Sequence, residues 1–260
     1  KAGGQTILGR NASPEALAAA LFALSHGLQV TDPALSGDAG QSQSGPEAVS
    51  PLTPKENDVL RREYIQAYHA CVSFIDAQLG MLFDSFRKRG LWEDTIVIFT
   101  SDHGYHLGEH FMWGKVTLFE ECARVPLVVR VPGMTKPGAV TQALVEHVDF
   151  YPSLLELCGL KVSDDSLRGT SFVPILKNPN AQGKDAVYTA VSRGDKLGRS
   201  IRTQRWRCAE WGSPNLNELY DLEKDPHEYV NLAKDSEHKA QLQKMKDLFQ
   251  ATRQRATGLK

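Results

Sequence analysis

The stretch Thr95-Ile-Val-Ile-Phe-Thr-Ser-Asp-His-Gly104 decides the fold class. Its first six residues form a β-branched, apolar run, which is typical of a strand buried on both faces of a parallel sheet. Ser101–Gly104 follows at the carboxyl end of that strand, where open α/β sheets place their ligands. The stretch therefore predicts an α/β fold with a functional site that starts at Asp102.

The sequence on either side continues the α/β pattern. Thr53-Pro-Lys-Glu56 forms a capping box with proline at the first helical position, and the helix it opens runs to about Lys88 and stops at Gly90. The predicted buried face of this helix recurs at helical spacing and comprises Cys71, Ile75, Gln78, Leu82 and Phe86. A second core strand is predicted at Leu127 to Val131. We also expect a helix capped by Asp149, running through Leu157 and ended by Gly159.

Beyond about Asp185, short strands lie close together with Gly, Ser and Pro between them, which predicts a small antiparallel sheet. The predicted strands are Ala186 to Val191, Arg199 to Thr203, Trp206 to Trp211 and Glu218 to Asp221. A final amphipathic helix with Ser236 as its cap is predicted to pack on this sheet. Its apolar side comprises Leu242, Met245, Leu248 and Phe249.

These patterns divide the chain into three parts. Residues 1–52 form a loop or linker segment with one predicted short helix at Ser13 to Leu28, residues 53–184 form the α/β part, and residues 185–260 form the antiparallel sheet with its helix.

Composition narrows the classes of partner. The 30 basic and 31 acidic residues nearly cancel, so no overall positive field would gather nucleic acid or anionic lipid. No apolar run approaches the roughly 20 residues that a membrane span requires. The four cysteines form no Cys-x-x-Cys pair and are interpreted as buried small hydrophobes rather than as zinc or redox ligands. They are Cys71, Cys122, Cys158 and Cys208.

Asp102 and His103 carry the first chemical hypothesis. A carboxylate oxygen and an imidazole nitrogen on adjacent residues can meet one divalent cation, while Gly104 lets the backbone bend sharply. Two ligands are too few for a metal site, and no Asp-Asp or Asp-x-Asp strand end upstream supplies the others. Taken alone, the pair is more simply explained as a turn cap and a hydrogen-bonded core histidine, so the surrounding sequence has to decide.

That surrounding sequence resembles the metal-site segment of sulfatases in the alkaline phosphatase superfamily. The resemblance runs through SDHGYHLGEHFMWGKVTLFEECARVPLVVRVPG, from Ser101 to Gly133, in which Trp113-Gly-Lys115 with Leu118-Phe-Glu120 is most similar to the iduronate-2-sulfatase branch. It continues in order through Tyr68 to Gly80, Val145 to Gly159, Ser200-Ile-Arg-Thr203, Leu219-Tyr-Asp-Leu222 and Asp225-Pro226. The resemblance implies part of an alkaline-phosphatase-like (sulfatase) α/β sandwich, with the small antiparallel sheet and its helix at the C-terminal end.

In that family, early carboxylates and the residues matching Asp102 and His103 hold a calcium ion, and the lysine matching Lys115 contacts the sulfate. The resemblance therefore implies metal binding by the first two residues and a catalytic role for Lys115, whose ammonium would neutralise charge on the sulfonyl and leaving oxygens. The alternative for Lys115 is a solvated surface lysine. Tyr105 and His106 follow the metal turn and are candidate substrate contacts.

Other polar residues near these positions have structural interpretations. Glu109 and His110 could form a hydrogen-bonded scaffold for the loop. Arg124 and Arg202 are expected to brace the two sheets, with contact to an anionic substrate as the lesser alternative.

The nucleophile of the family is a formylglycine made from cysteine in a Cys-x-Pro/Ala-x-Arg signature, and none of the four cysteines has that context. This chain alone is therefore expected to lack the covalent step, with the formylglycine in a missing N-terminal half of the same enzyme. The chain is interpreted as a piece of a full enzyme, one chain of a two-chain enzyme, or a natural remnant. A half-sheet without its first strands is expected to expose an apolar edge.

Three functions compete. The resemblance implies sulfate-ester hydrolysis by the complete protein, on a sulfated sugar as in glycosaminoglycan degradation. The second is a phosphonate or phosphodiester hydrolase of the same superfamily that uses a transition metal, and the third is an inactive glycan-binding remnant. The sequon Asn11-Ala-Ser13 and the resemblance suggest an extracytoplasmic or lysosomal setting, but localisation is left open.

Overall fold

The computed structural model describes residues 58–160 and 167–257, all of which fall within one compact unit, Pro54–Lys260. The predicted short helix at Ser13 to Leu28 and the capping box at Thr53 to Glu56 lie outside the described residues. In the described ranges the helices are α1 (Asp58–Lys88), α2 (Glu120–Ala123), α3 (Phe150–Leu157), α4 (Val173–Lys177) and α5 (Lys239–Thr257). The strands are β1 (Val97–Thr100), β2 (His106–Leu107), β3 (Trp113–Gly114), β4 (Leu127–Arg130), β5 (Val187–Arg193), β6 (Lys196–Arg202), β7 (Trp206–Trp211) and β8 (Ser213–Asp221).

β1 and β4 form a two-stranded sheet that differs from the predicted one. The strands are antiparallel, with Val97 opposite Arg130 and Thr100 opposite Leu127, so the prediction of a parallel arrangement is wrong for this pair. Burial on both faces is also absent from this pair, because Phe99 is 38% and Val128 60% exposed. A β-branched run favours an extended backbone, but the orientation of its partner depends on the connection between the strands. Here residues 101–126 return the chain in the opposite direction.

α1 is the long helix that the sequence predicts, and its end is as expected. Gly90 has a φ of 69°, and the amide of Leu91 donates to the carbonyl of Phe86 at 2.9 Å. The predicted burial is wrong, because α1 has no buried residue in this structure: Cys71 and Leu82 are exposed, and Ile75 is half-buried. Helical periodicity marks the face of α1 that is suited to burial without supplying a partner for it.

The cysteines divide evenly between the two environments. Cys122 and Cys208 are buried as predicted, whereas Cys71 on α1 and Cys158 at the end of α3 are exposed. All four are free thiols in this structure.

The segment between β4 and β5 holds α3 and α4. Gly159 ends α3 with a φ of 67°, as predicted. Asp149 precedes α3 but makes no side-chain cap to it. Its carboxylate instead accepts hydrogen bonds from the amides of Glu146 at 2.8 Å and Thr170 at 2.7 Å, and it pairs with Lys184. The three groups tie together chain segments that are far apart in sequence, so Asp149 stabilises tertiary structure here.

The C-terminal sheet, defined here as β5 to β8 with α5, matches its prediction closely. Its four strands are antiparallel in the order β5-β6-β7-β8. The side chains that form its core are Ile201, Cys208, Leu219, Met245 and Phe249, with Leu242 and Leu248 of α5 packed against them. The cap of the last helical segment is Asp235, which accepts from the amide of Glu237 at 2.9 Å, one residue earlier than predicted.

No helix in the described ranges combines the length and the apolar content needed to cross a bilayer.

Candidate active site

The turn that follows β1 brings Asp102 and His103 together. Nε2 of His103 lies 3.4 Å from Oδ2 of Asp102, and the amide of His103 donates to Oδ1 at 3.0 Å. Ser101 stabilises the turn, because its hydroxyl donates to the carbonyl of His103 at 2.7 Å. The Asp102 side chain is 73% exposed and that of His103 33% exposed, so both face outward from the strand end.

The ring of His103 is oriented by its neighbours. Nδ1 lies 2.9 Å from the carbonyl oxygen of Gly104, which only accepts, so Nδ1 is the donor of this hydrogen bond. Nε2 lies on the opposite side of the ring, which faces Asp102. A histidine that binds a metal usually donates its other ring N–H in this way. Two oxygen or nitrogen ligands at right angles on a calcium-sized ion are about 3.4 Å apart, which fits the observed pair.

These two residues have the donor atoms for part of a metal site, but not for a complete one. In the described part of the chain, no cluster of three or more His, Cys, Asp or Glu side chains has the arrangement of a metal centre. Calcium takes six to eight oxygen-rich ligands, so the remainder would have to come from outside this pair.

Gly104 is required for a reason other than the predicted bend. Its φ is not in the left-handed region, but a Cβ at this position would lie 1.9 Å from the carbonyl oxygen of Glu121. The amide of Gly104 also donates to the carbonyl of Cys122 at 2.9 Å. The backbone of the turn is thus docked directly on α2, and only glycine leaves room for that contact.

Lys115 follows β3 on the short ribbon formed by β2 and β3, in which His106 is opposite Gly114. The lysine is half-buried, and within the described ranges no carboxylate pairs with its ammonium group. The next residue, Val116, has a φ of 74°, an uncommon and strained conformation for a β-branched side chain. His110 and Phe111 in the same loop are also left-handed. Such strain persists only where the surrounding structure fixes the backbone.

Tyr105 sits beside this ribbon and against α1. Its hydroxyl lies 3.0 Å from that of Tyr64, and its ring packs at 5.9 Å from the ring of Tyr68. Burial, and secondarily the hydrogen bond with Tyr64, raises the pKa of Tyr105 well above its ordinary value. The neutral phenol is therefore a hydrogen-bonding group at neutral pH, and its half-buried ring remains a candidate substrate contact.

His106 has a different environment. It is fully buried, and its Nε2 lies 2.7 Å from the hydroxyl of Thr117. Burial lowers its pKa, so the ring is neutral. With no exposed surface in this conformation, His106 fits a scaffold role better than the predicted contact with substrate.

His110 is held by ring packing, whereas the predicted hydrogen-bonded scaffold is not seen at its Nε2, which is buried without a hydrogen-bond partner among the described residues. Its ring stacks on Phe119 with centroids 3.7 Å apart and lies 5.1 Å from the ring of Tyr229. Its partner in the predicted scaffold, Glu109, accepts a hydrogen bond from the amide of Leu107 at 2.6 Å. The loop that carries Lys115 is thus packed against the segment that follows β8.

A charged network that the sequence did not reveal surrounds Glu120. Its carboxylate is contacted by Arg202, with Nε at 3.2 Å, and by the fully buried Arg207. These arginines lower the pKa of Glu120 against the opposing effect of burial. Arg207 also pairs with Glu228, whose Oε1 lies 2.6 Å from Nε. Glu228 is separated from Glu120 by 108 residues, so no local pattern could have predicted the contact.

The two arginines expected to brace the sheets have different roles. Arg202 links β6 to α2 through Glu120, so it braces the C-terminal sheet against a helix rather than against a second sheet as predicted. Arg124 also approaches Glu120, at 3.9 Å, but its side chain is 73% exposed. The sequence analysis missed a further residue, His147. Its Nε2 lies 3.0 Å from the carbonyl of Ser101, so a distant segment supports the turn that carries Asp102 and His103.

Comparison with known proteins identifies the family of this chain. A family model described as Sulfatase matches residues 3–160, more than half of the chain, and one described as N-sulphoglucosamine sulphohydrolase, C-terminal, matches residues 108–255. The chain belongs to the sulfatase family.

Two relatives illustrate the range. An N-acetylglucosamine-6-O-sulfatase of Bacteroides thetaiotaomicron is 31% identical over 200 residues, which cover 74% of this chain and 36% of the relative. A choline-sulfatase of Rhizobium meliloti is 31% identical over 170 residues, covering 65% of this chain and 33% of the relative. The chain thus spans about a third of the length of these relatives.

Solved structures confirm the alkaline-phosphatase-like (sulfatase) fold, of which this chain holds a part. A protein bound to its substrate D-glucosamine-2-N,6-O-disulfate superposes with a TM-score of 0.73 at 28% identity, over 80% of this chain and 44% of that chain. A phosphonate monoester hydrolase of Agrobacterium radiobacter superposes with a TM-score of 0.67 at 29% identity, over 73% of this chain and 41% of that chain.

Proposed function

We propose that the complete protein hydrolyses sulfate esters of a sulfated sugar and that this chain contributes Asp102 and His103 to its metal site. The observation that carries the proposal is the approach of Oδ2 of Asp102 and Nε2 of His103 to 3.4 Å, in a turn held by its own hydrogen bonds. Calcium is the proposed ion, since a hard carboxylate completed by further oxygen ligands suits it. When bound, it would supply positive charge that polarises a sulfate oxygen.

Lys115 is the proposed catalytic residue of this chain. A half-buried ammonium that pairs with no carboxylate among the described residues can neutralise the sulfonyl oxygens and the charge that grows on the leaving oxygen. The strained backbone at Val116 supports this role, because it holds the lysine in one loop geometry. Tyr105 is proposed to contact the substrate through its hydroxyl.

The nucleophile is proposed to lie in the part of the complete protein that its relatives possess beyond the matched third. A formylglycine made from a Cys-x-Pro/Ala-x-Arg cysteine would supply the attacking hydroxyl there. The proposed partner of this chain is that N-terminal half of the same enzyme.

Mass spectrometry of the complete natural protein, followed by turnover assays, tests the proposal. We expect a peptide with the mass loss that formylglycine formation causes, bound calcium by elemental analysis, and sulfate release from sulfated mono- and disaccharides. Asp102→Ala should abolish both calcium and turnover. Saturable glycan binding without turnover in a protein that lacks the modified cysteine would instead support a binding remnant.

The finer proposal concerns the sugar. The resemblance of Trp113 to Glu120 favours an iduronate-2-sulfatase-like specificity, and a 2-O GAG sulfatase is among the similar structures, with a TM-score of 0.69 at 25% identity. A panel of 2-O-, 6-O- and N-sulfated sugars tests it. A preference for a 6-O-sulfate would overturn the iduronate assignment while leaving sulfatase activity in place.

A second candidate is phosphonate or phosphodiester hydrolysis, favoured by the similarity to the phosphonate monoester hydrolase. Metal identity separates the two. Zinc, manganese or iron in the purified protein, with faster turnover of a phenyl phosphonate than of an aryl sulfate, would favour this candidate.

A further inference from the structure

Glu228 is a buried carboxylate that holds two partners from separate parts of the fold. Its Oε2 accepts a hydrogen bond from the amide of Glu120 at 2.6 Å, and its Oε1 lies 2.6 Å from Nε of Arg207. The residue follows β8 and is 1% exposed. Its φ is 57°, a region that a glutamate seldom occupies, so the packing around it must fix the backbone.

The partner of Glu228 on the site side is the first residue of α2. Glu120 is held at two points: its amide by Glu228, which follows β8, and its carboxylate by Arg202 and Arg207 of the C-terminal sheet. Arg207 is equally buried and shared between two carboxylates. Removing one member of such a network would leave a buried charged or polar group without its partner, which is costly. The intact network therefore restrains the positions of its members.

α2 in turn holds the metal turn. The amide of Gly104 donates to the carbonyl of Cys122, and the backbone of Glu121 fills the space where a Cβ of Gly104 would stand. Displacement of α2 would therefore displace the backbone next to Asp102 and His103. The contacts form a continuous line from Arg207 and Glu228, through Glu120 and α2, to the turn.

We propose that Glu228 and Arg207 are positioning residues for the metal turn, acting through α2. The proposal rests on the proposed metal-binding role of Asp102 and His103. Neither residue touches the turn itself, so their effect is on its geometry and not on the chemistry.

The matched control is Glu210. It is a buried carboxylate of the same C-terminal sheet and pairs with Arg199 at 2.7 Å, but it makes no described contact with α2. Glu228→Ala and Glu210→Ala both remove a buried carboxylate from an arginine. Both variants should lower the melting temperature, and only the first should alter the turn.

Hydrogen exchange and calcium titration of the complete protein test the proposal. In Glu228→Ala we expect amide exchange in peptide 101–107 to rise by about tenfold, since the buried hydrogen bond that holds the amide of Glu120 is lost. We expect calcium affinity to fall by about tenfold or more. Glu228→Gln, which keeps one acceptor oxygen, should give intermediate values, and Arg207→Lys, which keeps the charge, should shift both measurements in the same direction.

Two results would overturn the proposal: wild-type exchange at 101–107 in Glu228→Ala and Arg207→Lys, or an equal rise in Glu210→Ala. The exchange measurement needs neither metal nor turnover. If wild-type protein binds no calcium, the proposed metal site fails, and exchange at 101–107 still decides whether Glu228 positions the turn.

Discussion

The C-terminal sheet and the region that carries the site differ in how their apolar faces are covered. Ile201, Leu219 and Phe249 in the sheet and its helix are 3% exposed or less. α1, in contrast, has no buried residue, and β1 and β4 leave Phe99 and Val128 in contact with solvent. Within the described residues, only the C-terminal sheet therefore forms a closed hydrophobic core.

The difference teaches what periodicity does and does not specify. Apolar residues at helical spacing predicted a buried face for α1 and for α5, and only α5 has one. α5 packs on strands that precede it in the same chain, whereas the face of α1 has no such partner among the described residues. The cover for the apolar face of α1 therefore has to be sought outside the described residues.

The largest expected effect is on stability, and it is measured by truncating one leucine in each of the two regions. Leu219→Ala should lower the free energy of unfolding by about 2 to 5 kcal/mol, because it opens a cavity in a closed core. Leu82→Ala on α1 should cost under about 1 kcal/mol in the 260-residue chain. Urea denaturation followed by tryptophan fluorescence measures both.

The comparison sharpens when the same substitution is made in the complete protein. There the cost of Leu82→Ala should rise towards that of Leu219→Ala if the proposed N-terminal half covers α1. Equal costs in the short chain would contradict the distinction between a closed and an open face.

The next effect concerns catalysis. Lys115→Ala in the complete protein should lower kcat by about a hundredfold or more, roughly 3 to 4 kcal/mol, because a charge that stabilises the transition state is lost. Lys115→Arg should retain part of the activity. Lys196→Ala, which removes an exposed lysine of the C-terminal sheet, is the control and should leave kcat unchanged. Wild-type turnover in Lys115→Ala would return this residue to the status of a surface lysine.

The sequence predicted local elements of the fold better than contacts between distant segments. Local patterns located α1, β1, β4 and all four strands of the C-terminal sheet, because each pattern depends on neighbours a few residues apart. They missed the antiparallel pairing of β1 and β4, which depends on the course of the intervening 26 residues. The resemblance to sulfatases, rather than periodicity, singled out Asp102, His103 and Lys115 as candidate site residues, and their roles stay predictions.

The supporting residues of the site could not have been predicted in this way. Glu228, Arg207 and His147 act through contacts that join segments 46 to 108 residues apart. A single sequence carries no signal for such pairs. His106 was predicted as a candidate substrate contact because it lies close to Asp102 and His103 in sequence. In the structure it lies on β2 and is fully buried.

A smaller effect follows from the pKa of Glu228. Burial, opposed by Arg207, raises this pKa to about 7 from its ordinary value near 4.5. Between these two values the folded state holds a proton that the unfolded state releases. Stability should therefore fall as the pH rises from about 4.5 to about 7, by at most about 3 kcal/mol from this group.

Glu228→Gln removes that dependence because its amide does not titrate. Urea denaturation of the complete protein at several pH values, wild type against Glu228→Gln, isolates the contribution. A constant difference across the range would mean that Glu228 stays ionised beside Arg207 and that the raised pKa is wrong.

The smallest effects distinguish the two arginines at Glu120. Arg202 is 18% exposed and contacts Glu120 at 3.2 Å, whereas Arg124 is 73% exposed and contacts it at 3.9 Å. Arg202→Ala should cost about 1 to 3 kcal/mol of unfolding free energy, because it weakens a partly buried charge pair. Arg124→Ala should change that free energy by under about 0.5 kcal/mol and become neutral at high salt, since solvent screens its charge. Denaturation of both variants at low and high salt measures the contrast. If Arg124 proved the more costly, the partly buried contact between Arg202 and Glu120 would not be what stabilises the link between α2 and the C-terminal sheet.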